Sequence, residues 1–206
     1  MTTEARGRHL DQKLPSIPHN LDELRVGDQR RYGMWWFLAS LAVLFASMIV
    51  GYLMVRLDKP EWAHEALPPL PWTLWISTAL LVCLSVTLGW GRRRAAAGFS
   101  PLIMIRLAIV LAFAFLAAQT WSWSLVRQSE LSSQASNLYA FAFFMLTVLH
   151  ALHVLGGILS LGWVEHRARR GAYAAGQTLG LRDAVLYWHF LLVTWIMLYA
   201  VLAIAN

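Results

Sequence analysis

Two histidines, His150 and His153, stand three residues apart inside the apolar stretch TVLHALHVLGG. On a helix that spacing brings both imidazoles to one face. A third ring, His189, follows in LYWHFLLVTW, flanked by Trp188 and, six residues on, by Trp195. Three histidines supply enough nitrogen for a copper or zinc site, and His150 with His189 could hold a haem between two helices. The companions such sites need are missing from the apolar runs. Their remaining polar residues are Arg106, Gln119, some hydroxyls, and Glu165 near a run's end, with no carboxylate at mid-run. A di-iron carboxylate site or a buried proton relay requires several acids, and a histidine metal site is normally oriented by an outer shell of carboxylates or carbonyls. The alternative is that the rings bond to one another, to Thr147, to backbone or to lipid headgroups.

The elements that must position these residues are apolar helices. Of 206 residues, 58% are hydrophobic and 14% charged, and the mean hydropathy is +0.52, far more apolar than an ordinary soluble domain. Five runs nearly free of charge, Gly33–Arg56, Pro71–Trp90, Pro101–Val126, Leu138–Val164 and Ala184–Ala205, each approach or exceed the ~20 residues that cross a bilayer. The expected fold is an all-α membrane protein, a bundle of five transmembrane helices at 33–206 behind a polar tail at 1–32. That tail has charges and prolines but no apolar core with a cleavage site, so it does not read as a signal peptide. The single cysteine, Cys83, permits no intrachain disulfide. A net charge of +6 would suggest nucleic acid in a soluble protein; here the placement of the charge matters more. Thirteen of the seventeen Lys and Arg fall in the tail, the second loop and the fourth loop. The positive-inside rule then puts the N-terminus in the cytoplasm and the C-terminus outside.

Between the runs, LPPLP stops any helix before the second, Gly91 and Gly98 are expected to end and separate the second and third, and Ser100-Pro101 offers a cap and a first-turn proline. The fourth loop, EHRARRGAYAAGQTLGLRD, is basic and long enough to let the last two helices pack antiparallel. Most of the eleven tryptophans fall near run ends, where an amphipathic indole anchors at the headgroup boundary. Gly156, Gly157, Ser160 and Gly162 form a strip of small residues that lets a neighbouring helix approach.

FFMLTVLHALHVLGGILSL followed by AVLYWHFLLVTWIMLYAVL resembles the last two helices of subunit III of the haem–copper terminal oxidases, in its short five-helix bacterial form. Leu146, Thr147, His150, Leu152, His153, Val154, Gly156 and Gly157 match the family's first motif there, and Tyr187, Trp188, His189, Phe190, Trp195 and Tyr199 match its second. YGMWWFLASLAVLF is similar to a motif in the first helix, and Gln119 to a glutamine of the middle one. The chain departs from the pattern at Leu41 and Leu192, where the family usually has acids, and at Val148 and Ala151, where it has glycines. Proton-linked roles of those acids therefore do not carry over. The resemblance implies a non-catalytic subunit of a respiratory oxidase in the bacterial inner membrane, holding no haem or copper itself. Those cofactors would sit in partner subunits I and II, and this chain would support assembly, lipid binding and sustained proton-coupled oxygen reduction. His150, His153, Trp188 and His189 would then form a polar cluster that ties the last two helices together or meets a lipid headgroup. Arg106 and Arg182 are candidates for lipid phosphate, which guanidinium binds bidentately. The alternatives are a related accessory subunit of a nitric oxide reductase and, from another class, a stand-alone membrane haem protein. A transporter is disfavoured, since no broken helix marks a substrate site.

Overall fold

The computed structural model describes residues 19–58, 71–128, 134–171 and 179–204. These form five helices, α1 (His19–Asp58), α2 (Thr73–Ala96), α3 (Leu102–Gln128), α4 (Gln134–Arg169) and α5 (Leu179–Ile204). All five are long and apolar enough to cross a membrane. Residues 1–18 of the expected tail, 59–70 of the first loop, which include all of LPPLP but Pro71, and 172–178 in the fourth lie outside the described residues.

The helices outrun the apolar runs that announced them. α1 begins at His19 rather than Gly33, α2 continues through Arg92–Arg94 to Ala96, and α4 continues through Arg167 and Arg169. Leu, Glu, Arg and Ala are strong helix formers, so a helix need not stop where its hydropathy falls. Gly91 accordingly lies inside α2 rather than ending it; a Cβ there would stand 3.0 Å from Met104 Cβ, so its lack of a side chain lets α3 come close. The break falls at Gly98, whose φ of +82° is left-handed and suits glycine as a helix stop. Ser100 Oγ then accepts from the Leu102 amide at 3.4 Å, and Pro101 precedes the first turn of α3. Gly171, with φ +72°, ends α4 in the same way.

α2, α3, α4 and α5 pack in that order into a closed ring, since α5 returns to α2. Each presents one seam of buried residues at alternating spacings of three and four: Leu74, Ser77, Leu81, Leu84, Leu88, Gly91 and Ala95 on α2; Ile105, Ala108, Ala112, Phe115, Gln119, Ser122 and Val126 on α3. On α4 the seam is Phe143, Thr147, His150, Val154, Gly157, Leu161 and Val164, and on α5 Leu181, Ala184, Trp188, Leu191, Trp195, Leu198 and Leu202. A 3.5-residue period suits left-handed packing of membrane helices near +20°. α1 adds Leu38, Leu41, Phe45, Ile49 and Tyr52 as its own buried stripe. The opposite faces carry large exposed apolar residues such as Leu159, Ile103 and Val110, as helices surrounded by lipid should.

Candidate functional site

Each interface of the ring is closed by a buried or half-buried polar contact. Between α3 and α4, Trp123 Nε1 donates to Thr147 Oγ1 at 3.0 Å, and that hydroxyl donates to the Phe143 carbonyl at 2.6 Å. Between α5 and α2, Trp195 Nε1 donates to Thr78 Oγ1 at 3.0 Å, which donates to the Leu74 carbonyl at 2.9 Å. Between α2 and α3, Thr73 Oγ1 and Ser122 Oγ lie 2.6 Å apart, and both residues are wholly buried. Ser122 uses its single proton on the Ala118 carbonyl, so Thr73 is the donor across the interface. In all three, a donor from one helix meets a hydroxyl whose own proton is held by its own helix four residues back. That arrangement leaves the hydroxyl a pure acceptor and fixes the direction of the contact.

The four sequence-selected residues of the last two helices do not share one hydrogen-bonded group; the structure distributes them around the ring. His150 occupies the α4 seam and is wholly buried, its ring 5.2 Å from Trp195, 5.8 Å from Phe115 and 6.2 Å from Phe45. Neither ring nitrogen has a hydrogen-bond partner among the described residues, and the same holds for the amide of Gln119 on the α3 seam. His153 stands one position off the seam. Its Nδ1 lies 2.8 Å from the Leu149 carbonyl; a carbonyl can only accept, so the imidazole carries its proton on Nδ1. Its backbone carbonyl accepts from Tyr187 Oη at 2.9 Å, which is the polar contact between α4 and α5. Trp188 drops into the gap at Gly157, where a Cβ would stand only 2.8 Å from its Cζ2. His189 is exposed and turns away from α4, with Nδ1 2.8 Å from Ser85 Oγ on α2. Of the small-residue strip, Gly157 carries the close approach, whereas a Cβ on Gly162 would meet nothing within 4 Å.

Arg106 does not lie alone in its span. Its Nε donates to Glu165 Oε1 at 2.8 Å, and Arg169 Nη2 reaches the same oxygen at 2.7 Å from one turn along α4. The three charges form a clamp between the start of α3 and the end of α4. Arg182 has Asp183 at 3.9 Å and is half-exposed. Leu41 lies on the buried stripe of α1, and Leu192 is half-buried beside the α5 seam. Among the described residues, no group of three His, Cys, Asp or Glu could hold a metal ion.

The contacts that sequence reading missed are Trp123–Thr147, Trp195–Thr78, Thr73–Ser122 and Tyr187 to the His153 carbonyl. The signal was available in part, since Ser122, Thr147 and Trp195 all sit on 3-4 seams and Thr73 stands one position before the α2 seam. In helices apolar on every side, however, hydropathy does not mark which side is the seam.

Five membrane-spanning helices, four of them joined into a ring by donors aimed at neighbouring helices, define a multi-pass membrane protein whose polar interior is engaged in holding helices together. Comparison with known proteins makes this definite. The family model for cytochrome c oxidase subunit III matches residues 19–205, and the chain belongs to that family. It is 31% identical over 178 residues to cytochrome c oxidase subunit 3 of Synechocystis sp., covering 84% of this chain and 74% of that one. It is 29% identical over 198 residues to the subunit 3 of Corynebacterium diphtheriae, covering 92% and 95%. Against the subunit 3 of Yarrowia lipolytica it is 27% identical over 170 residues and spans 62% of that longer chain. Membership in this family makes the chain one part of an oxidase with further subunits.

Proposed function

We propose that this chain is the non-catalytic subunit III of a bacterial haem–copper oxidase. It would lie in the inner membrane with its N-terminus in the cytoplasm, beside subunits I and II that hold haem and copper. Its work is structural: to brace the complex, to contact lipid, and so to sustain proton-coupled oxygen reduction over many turnovers. The observation that carries this reading is the ring of interhelical contacts, in which Trp123, Trp195, Thr73 and Tyr187 each donate to a neighbouring helix. Groups so engaged are poor candidates for redox ligands or proton carriers. His150, His153, Trp188 and His189 act as packing and helix-tying residues rather than as ligands.

The test is His153→Ala in the intact purified oxidase, followed by oxygen consumption per haem from the first turnover onward. The expected result is an unchanged initial rate and visible spectrum, with faster decay of activity or easier loss of this chain. Immediate loss of haem or copper from the variant would overturn the reading. Oxygen and nitric oxide offered as alternative substrates to the same preparation separate an oxidase from a nitric oxide reductase.

A further inference from the structure

His189 is exposed, yet it stands well inside the spans of α2 and α5. It lies seven residues from Arg182 along α5, and its partner Ser85 lies seven residues from Arg92 along α2. Both helices therefore place the contact about 10 Å in from their arginines. The polar layer on either side of a bilayer is only about 5–8 Å thick, so headgroup oxygens at the arginine level do not reach the ring.

The two nitrogens of the ring are placed differently. Ser77, Thr78 and Thr87 of α2 each give their proton to the carbonyl four residues back. Ser85 makes no such bond; its one partner among the described residues is His189 Nδ1, at 2.8 Å. Ser85 is buried, and a buried donor left unpaired is costly, so the hydroxyl donates and Nδ1 accepts. The imidazole then carries its proton on Nε2. That nitrogen has no partner among the described residues, and the ring that bears it faces out of the chain.

A donor facing hydrocarbon needs an acceptor, and acyl chains have none. The face around His189 has the shape for a helix. Val193 and Ile196 follow it along α5 at i+4 and i+7, both exposed and apolar; on α2, Val82 is exposed and a Cβ on Gly89 would meet nothing within 4 Å. A second copy of this chain does not answer the need, since two such faces would set donor against donor: Val82, Gly89, Val193 and Ile196 bring no acceptor side chain.

We propose that this α2–α5 face docks a transmembrane helix of a different subunit of the oxidase, one that presents a side-chain or backbone oxygen to His189 Nε2. Polar contacts of this kind hold helices together in the bilayer. The inference rests on the reading of the chain as a subunit of that complex, and deepens it by assigning the face and the atom.

Two measurements on the intact complex test it. In the first, a photoreactive benzophenone amino acid replaces Val193, leaving His189 and Ser85 in place, and the products of illumination are separated on denaturing gels and identified by mass spectrometry. The expected product joins this chain to a different subunit; products with lipid alone, or with a second copy of this chain, overturn the proposal. In the second, dissociation of this chain from the complex in detergent is timed for Ser85→Ala and His189→Leu. Both break the tie between α2 and α5, but only His189→Leu removes the outward donor. His189→Leu should therefore dissociate faster than Ser85→Ala by about three- to fifteen-fold, the range for one hydrogen bond between membrane helices. Equal rates overturn the proposal, because a ring that only ties α2 to α5 would make the two variants alike. If His189→Leu does not assemble, the Val193 probe decides alone. A chain that never co-purifies with haem-bearing subunits refutes the subunit reading and this face with it; a chain that co-purifies while the probe reaches only lipid refutes this face alone.

Discussion

Gly157→Ala tests whether the α4–α5 contact is as tight as the geometry says. An added methyl would sit 2.8 Å from Trp188 Cζ2 and 3.1 Å from both Trp188 Cε2 and Tyr187 Cε1. Carbon atoms settle at about 3.5–4.0 Å, so the indole must retreat by about 0.7–1.2 Å. Trp188 is only 1% exposed, and retreat means displacing α5. Overpacking of this kind costs about 1–3 kcal/mol, against which removing glycine from a helix interior returns about 0.5–1 kcal/mol. The net is a loss centred near ~1 kcal/mol and reaching about 2.5 kcal/mol, worth a few degrees in a chain this size at roughly 2–4 °C per kcal/mol. Two sister substitutions supply the control. A Cβ at Gly156 makes an ordinary 3.8 Å contact with Tyr187 Oη, and one at Gly162 touches nothing within 4 Å; both alanines should leave stability unchanged or slightly raised. The assay is the temperature at which the purified complex releases this chain, read on native gels after heating. If all three alanines behave alike, or if Gly157→Ala is the most stable, the account of the α4–α5 interface is wrong.

Other contacts give sharper chemical tests. Thr73→Val or Ser122→Ala alone should each destabilise the complex, whereas the double substitution should recover most of the loss; the coupling is expected at about 0.6 kcal/mol, the average for membrane helices, and a coupling of zero would mean the 2.6 Å contact contributes nothing. Trp195→Phe keeps the ring but removes the donor to Thr78, so chain retention should fall modestly in the variant and return in Trp195→Phe/Thr78→Val, where both polar partners are gone. Glu165→Gln weakens the clamp on Arg106 and Arg169; since both guanidinium groups are half-exposed, the loss should be about 1 kcal/mol or less and should shrink further in high salt, which heat-release measurements at two ionic strengths would show.

The five spans were legible because the bilayer demands apolar runs, and the sequence has five. Their ends were not, because Arg92–Arg94 and Arg167–Arg169 favour helix as readily as the apolar residues do, and the helix carries on past the membrane boundary. His150 and His153 were rightly placed on one helical face, yet three residues of separation put one on the seam and the other just beside it. Only His150 is wholly buried. Trp123 read as a boundary anchor in common with Trp72, Trp121 and Trp163, and those three are indeed exposed. Nothing local distinguishes Trp123 from them; its role depends on Thr147 arriving from another helix. The family motifs identified the chain, but the direction in which His189 turns, toward Ser85 rather than toward His150, is a property of packing alone.

The contact of Phe45 with His150 and His153 joins residues on the order of a hundred positions apart in a chain made at about 5–20 residues per second. For roughly 5–20 seconds after α1 enters the bilayer, the helix it leans on has not been synthesised. Trp195, which closes the ring onto α2, emerges later still. During that wait lipid covers the face of α1 that carries Leu38, Leu41, Phe45 and Ile49, which its apolar side chains tolerate. The hydroxyl of Thr78 is also prepared for the delay: its proton is already held by the Leu74 carbonyl of its own helix. It can sit in hydrocarbon with its donor satisfied until the indole of the last helix comes to meet it.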